Sequence, residues 1–151
     1  MSEVQRISDQ LKRAYEGEAW HGPSLKEILA GVSADQAARR PVPTAHSIWE
    51  IVLHIAAWDG VVCDRLHGNY LSDPAEGDWP AAAETTDEAW AAALEALGAN
   101  HLKLRKAIAS LNEADLDKPL APGKPSAYVT LHGVIQHDLY HGGQIALLKK
   151  E

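Results

Sequence analysis

The sequence predicts an all-α fold, a four-helix bundle, on three observations. All eight prolines fall in three zones, residues 23–43, 74–80 and 119–125, which leaves four proline-free segments. Each segment repeats apolar residues at intervals of three and four, the period of an amphipathic helix, and proline is poorly tolerated inside helices. No segment shows the strict alternation of a strand. The length suits one core, so we assign residues 1–151 to a single domain.

The first helix is predicted over about residues 2–16, followed by a partly structured connection. In that connection, Ser24 with Glu27 and Ser33 with Gln36 have the spacing of a capping box, in which two side chains satisfy free backbone amides. We therefore expect two short helical turns before the second long helix.

The second and third helices flank the longest connection. The second is predicted from Ser47 to about His67, and the third from Thr85, with Glu88 as its capping partner, to about Leu111. The third helix alternates apolar spacings of four and three, as in helices that pack at a shallow angle. The connection between them can span a helix of about 30 Å, so the two helices can run parallel or antiparallel.

The last predicted helix, Thr130 to Lys150, carries two histidines on its apolar face. His137 and His141 are four residues apart, so both imidazoles point the same way. Two adjacent core histidines with nothing to bind would leave ring nitrogens unsatisfied, at about 1–3 kcal/mol each. The pair is therefore predicted to form one half of a transition-metal site.

His54 is the predicted third ligand. It lies at the edge of the apolar stripe of the second helix, one turn before Trp58, where it can face His137 and His141 across the core. Three histidines with an open position are the usual composition of a catalytic zinc-type site. His101 is a fourth ligand if the second and third helices are antiparallel, and a core or cavity-lining residue if they are parallel. We favour the second alternative.

Other polar residues near these histidines receive lesser roles. Glu50 has a local partner in its capping box, and Asp59 and Asp138 point away from the ligand histidines, so none is assigned as a ligand. Gln144, three residues past His141, is expected either to hydrogen-bond a ligand histidine or bound water, or to pack between helices.

Composition excludes several classes of protein. A net charge of −7 argues against nucleic acid, because a phosphate backbone calls for a basic patch. The first residues contain no apolar stretch, and no run of eighteen apolar residues occurs, so neither a signal peptide nor a membrane span is predicted. The single cysteine, Cys63, excludes an intramolecular disulfide. We therefore expect a cytoplasmic protein.

Four segments resemble the DinB/YfiT-like superfamily of metalloenzymes. They are WHGPSL at 20–25, HSIWEIVLHIAAWD at 46–59, DW at 78–79 and HDLYHGGQIALLKK at 137–150. The resemblance implies a divalent metal, zinc or nickel, held by His54, His137 and His141. It also implies an up-down-down-up crossover bundle and a homodimer. Members with a known activity include S-transferases that use bacillithiol, mycothiol or glutathione, and a thiol-dependent isomerase, while many others are assigned only as hydrolases.

The expected function is that of a divalent-metal-dependent enzyme acting on a small molecule. An ion held by three neutral histidines keeps its charge and can activate either water or a thiol. We favour a low-molecular-weight-thiol S-transferase over a metal-dependent hydrolase. The rival from another class is a non-catalytic, stress-related metal-binding dimer, which a fourth protein ligand such as His101 would favour.

The substrate pocket is expected to use tryptophan. Trp20, Trp58 and Trp79 lie on or near segments that should reach the second helix and its long connection, and tryptophan gives a pocket apolar area with one polar handle. His21 and His101 complete the predicted lining. In the alternative interpretation, these tryptophans only fill the ends of a bundle that has no Phe.

Overall fold

The computed structural model describes residues 1–151 and is helical, without strands. Its six helices are α1 (Glu3–Glu16), α2 (Leu25–Leu29), α3 (Ala34–Ala38), α4 (Ile48–Leu66), α5 (Asp87–Ala109) and α6 (Ala127–Leu148), with a 3₁₀ turn at Glu113–Asp115. The all-α prediction is confirmed, including the two short helices before α4. None of the six helices has the length and apolarity needed to span a bilayer.

Serine side chains define most of the helix starts. Complete capping boxes form at Ser2 with Gln5, Ser24 with Glu27 and Ser47 with Glu50. Ser33 caps α3, but the predicted second half of its box is absent, because the Gln36 side chain donates instead to the carbonyl of Lys149, 3.0 Å away. That hydrogen bond joins α3 to the end of α6.

Two predicted helix starts were wrong by one and three residues. The third long helix is capped by Thr86, whose Oγ1 accepts from the amide of Ala89, and not by Thr85. The last helix begins at Ala127 rather than Thr130, because Ser126 provides the cap. Hydroxyl residues one to four positions apart offer alternative caps, and tertiary contacts decide among them.

The four long helices pack so that α1 and α4 each contact both α5 and α6. One apolar cluster joins the first half of α4 and α5 to the end of α6 and includes Ile55, Leu97 and Ile145. A second cluster joins α1 to the other halves of these helices and includes Leu11, Leu104, Leu131 and Val62.

A layer of buried polar side chains lies between the two apolar clusters. It consists of His54 and Asp59 on α4, His101 on α5, and Asp138 and His141 on α6. On α4, α5 and α6, the apolar residues before the layer belong to one cluster and those after it belong to the other. Buried polar groups are costly without partners, so this layer is where chemistry is expected.

Candidate metal centre

His54 is held in one orientation by the connection between α4 and α5. Its Nδ1 lies 2.5 Å from the carbonyl oxygen of Asp78. Because a carbonyl only accepts hydrogen bonds, Nδ1 carries the proton and Nε2 presents a lone pair to the interior. The ring is buried among the aromatic side chains around it. His54 is thus prepared as an Nε2 ligand.

His141 and His137 complete a cluster of three imidazoles. Nδ1 of His141 lies 2.6 Å from Oε1 of Gln144, which leaves Nε2 of His141 as its free ring nitrogen. Nε2 of His137 lies 2.8 Å from Nε2 of His54. One nitrogen from each ring can be chosen so that all three lie within 4.8 Å of one another. The structure therefore brings the three histidines singled out by the sequence to one place.

The donor set fits a divalent transition metal. If all three rings turn a lone pair inwards, a cation among them removes the repulsion, and three imidazoles suit a first-row transition metal. Burial lowers the pKa of all three histidines, that of His141 to about 4, so the rings are neutral near pH 7. Nδ1 of His137 is buried without a hydrogen-bond partner. It lies 3.7 Å from Oδ1 of Asp138, an acceptor in the position that orients ligand histidines in metal sites.

The DW segment covers the cluster on the α4 side. The Trp79 ring stacks on His54 with a centroid distance of 3.9 Å and on His46 at 3.6 Å, so it lies between the two imidazoles. The Trp58 Nε1 donates to Oδ1 of Asp78, 2.8 Å away. The same two-residue segment therefore supplies the carbonyl that orients His54 and the ring that shields it from water.

Comparison with known proteins identifies the family. The family model described as the DinB superfamily matches residues 19–145, most of the chain and all three histidines. The chain belongs to the DinB superfamily. No curated protein and no solved structure matches it. Membership in this metal-binding family and the histidine cluster together indicate a divalent-metal site.

A cavity of about 180 Å³ opens beside His137 in this DinB-superfamily chain. Its lining consists of Trp58, Val62, Arg65, Thr130, Gly133, Val134 and His137. Arg65 is fixed by hydrogen bonds from Nε and Nη2 to the carbonyls of Leu71 and Ser72. Its guanidinium lies over the rings of Trp58 and Tyr70. The cavity combines apolar walls with one cation next to the histidine cluster.

Three residues predicted to line the substrate pocket lie elsewhere. Trp20 is fully exposed, because the connection after α1 carries it outward and nothing covers its ring. His21 is also exposed and borders a different cavity with Gly142 and Asp138, on another face of α6. His101 is buried and does not join the three histidines, so it neither lines the cavity beside His137 nor acts as their fourth ligand.

A second group of ligand-type residues was not predicted from the sequence. Asp59 and Asp138 were expected to point away from the site, but both are buried and lie with His101 in the polar layer. Burial raises the pKa of Asp138 to about 8 and, with the charge of Asp138, raises that of Asp59 well above its ordinary value. Helical spacing contained the signal, since Asp59 lies four residues after Ile55 and three before Val62, both buried.

Proposed function

We propose that this DinB-superfamily chain is a divalent-metal-dependent enzyme that transfers a low-molecular-weight thiol to a small-molecule substrate. In this proposal His54, His137 and His141 hold the ion, zinc or nickel. When bound, such an ion supplies a Lewis acid at which a thiol or water becomes nucleophilic near neutral pH. The observation that carries the proposal is the meeting of three neutral imidazoles next to a cavity.

An open coordination position distinguishes this proposal from a non-catalytic metal-binding protein. The cluster contains three histidines and no fourth histidine, cysteine or carboxylate. His101, the residue that would have closed the site, lies in the other group. Catalytic zinc sites keep one position for substrate or water, whereas structural sites are closed by four protein ligands. The composition of the cluster therefore favours the enzyme.

The residues around the cluster have separate tasks in this proposal. Asp78 and Gln144 fix the orientation of His54 and His141 through their Nδ1 atoms. Trp79 keeps water from one face of His54. Arg65 lines the cavity beside His137, and its Nη1 makes no hydrogen bond. Because glutathione and bacillithiol carry carboxylates, a fixed guanidinium suits their recognition.

An up-down-down-up crossover bundle is part of the proposal. Trp49 and Trp90, in the first turns of α4 and α5, have ring centroids 5.1 Å apart, and Asn100 in the middle of α5 donates to the carbonyl of Ala56 in the middle of α4. These contacts join the first turn of α4 to the first turn of α5 and the middle of one helix to the middle of the other, which supports a parallel arrangement of α4 and α5. The last turns of α4 and the first turns of α6 border the same cavity, which supports an antiparallel pair.

We also propose that the chain forms a homodimer through α6. Five large apolar side chains of this helix are exposed: Tyr128, Val129, Leu139, Tyr140 and Leu147. Gly143 lies on the exposed surface of the same helix, with open space where a side chain would be. Small and apolar residues together allow close approach of a second helix. Light scattering after gel filtration should give twice the chain mass, and Tyr140→Glu should give the monomer.

A thiol-transfer assay tests the proposed activity. The chain, purified without an affinity tag and loaded with Zn²⁺ or Ni²⁺, is mixed with bacillithiol, mycothiol or glutathione and the electrophile monochlorobimane. Conjugate fluorescence reports S-transfer. We expect faster conjugation with one thiol, dependent on the metal and lost in His137→Ala. Gln136→Ala, an exposed change on the same helix, is the matched control and should retain the rate.

Absence of metal-dependent transfer with every thiol would reject the transferase. Metal-dependent cleavage of ester or amide substrates by the same preparation would then favour the hydrolase. Stoichiometric metal binding without either activity would favour the non-catalytic dimer.

A further inference from the structure

Asp59, His101 and Asp138 meet at the centre of the molecule, each from a different helix. Their exposed fractions are 1%, 1% and 2%. One ligand atom from each residue can be chosen so that the three atoms lie within 4.8 Å of one another. None of the three belongs to the histidine cluster described above. The group is therefore a separate convergence of ligand-type side chains in the buried polar layer.

No polar atom of this group has a hydrogen-bond partner. Both carboxylate oxygens of Asp59, both of Asp138 and both ring nitrogens of His101 are buried and unpartnered. Native proteins rarely leave a buried polar atom unpaired, and here six occur together. If both aspartates ionised in this desolvated space, they would also repel each other. A missing positive species would account for both features.

No cationic side chain of the protein fills that role. Arg105, whose charge acts on His101, pairs its Nη1 with Glu16 at 2.7 Å, and its buried Nε has no partner, so it makes no hydrogen bond to either aspartate. Tyr15 stacks on His101 with a ring-centroid distance of 4.2 Å and brings no charge. Burial lowers the pKa of His101 to about 4, so this ring is neutral near pH 7. A positive species that balances two ionised aspartates would therefore come from outside the chain.

We propose that Asp59, His101 and Asp138 form a second divalent-cation site, independent of the three-histidine site. Two carboxylates neutralise a divalent ion, so the loaded site carries no net charge in the apolar core. Mixed carboxylate and imidazole donors suit Mn²⁺, Fe²⁺ or Zn²⁺ better than Ca²⁺ or Mg²⁺, which prefer oxygen alone. Asp138 is the member of this group that lies near the other site, since its Oδ1 is 3.7 Å from Nδ1 of His137.

Metal counting on full-length chain tests the second site. The chain is expressed in medium with added Zn²⁺ or Mn²⁺, so that a buried site can load during folding, purified without a tag and analysed for metal per chain. We expect two ions in the wild type, one in His54→Ala and one in Asp59→Asn. Asp64→Asn, an exposed change on α4, is the control and should retain two.

The counts separate the two sites and can overturn either one. A wild type with a single ion that is lost in His54→Ala and kept in Asp59→Asn would overturn the second site, and its residues would then share protons or a water. A single ion lost in Asp59→Asn and kept in His54→Ala would support the second site and reject the three-histidine site. Loss of both ions in His54→Ala would overturn the independence of the sites. If Asp59→Asn does not fold, His101→Gln is used in its place. The numbers of metal ions per chain in the wild type and in His54→Ala still distinguish one site from two.

Discussion

Replacing Gln144 by Ala should weaken metal binding without disturbing the fold. Oε1 of Gln144 lies 2.6 Å from Nδ1 of His141, and this bond keeps the proton on Nδ1 and the lone pair on Nε2. In Gln144→Ala, the His141 ring can rotate or adopt the other tautomer. The helix itself should be undisturbed, because Ala has a higher helix propensity than Gln.

The expected loss is about 10–100-fold in metal affinity. Partners that orient ligand histidines contribute about this factor, which corresponds to about 1.4–2.8 kcal/mol. The cost of leaving the buried Nδ1 donor of His141 unsatisfied is similar, about 1–3 kcal/mol. Both ranges are well above the error of a competition titration.

The assay is a zinc titration against a chromophoric chelator, with circular dichroism to check folding. Gln136→Ala is the matched control, since this exposed residue lies on the same helix. Gln144→Glu keeps an acceptor beside His141 and should bind zinc at least as tightly as the wild type. Equal zinc affinities of Gln144→Ala and Gln136→Ala would refute the role of Gln144 in orienting His141.

Three further predictions concern the helix starts, the packing of α6 and the effect of pH. Ser47→Ala removes a capping box and should lower the free energy of unfolding by about 0.5–2 kcal/mol, measured by urea denaturation; an unchanged midpoint would contradict it. Compared in the monomeric Tyr140→Glu background, Gly142→Leu should destabilise the chain by about 1–3 kcal/mol, because an added Cβ already contacts α2, whereas Gly143→Leu meets open space within the chain and should have little effect; equal melting temperatures would reject this difference. Protons compete with metal for neutral imidazole, and the pKa of His141 is depressed to about 4. Because the pKa of each of the three ligands is lowered, zinc binding should be lost only below the ordinary histidine pKa of about 6.5, and a loss centred at 6.5 would show an unperturbed histidine.

Features that depend on a few neighbouring residues were predictable from the sequence. The capping boxes at Ser24 and Ser47 and the pairing of His137 with His141 each lie within one helical turn, so spacing alone determines the geometry. His54 needed a further assumption, that its helix turns this residue towards α6. The resemblance at residues 46–59 supported that assumption before the structure did.

Features that depend on how helices are rotated against one another were not predictable. Asp138 was placed off the apolar stripe of α6, but α6 packs on α1 and α2 as well as on α4, so its buried surface is wider than one stripe. Asp59 and His101 meet Asp138 only because three helices place them at the same level. Trp20 lies on an exposed connection, whose path no periodicity describes.

The most direct test of the three-histidine site is the X-ray absorption spectrum of the zinc-loaded chain. The Asp59→Asn variant, with one zinc per chain, removes the contribution of the second proposed site. We expect a nearest shell of nitrogen and oxygen at about 2.0–2.1 Å, with outer scattering from three imidazole rings. Fewer than three imidazoles in that shell would contradict the assignment of His54, His137 and His141 as the ligands.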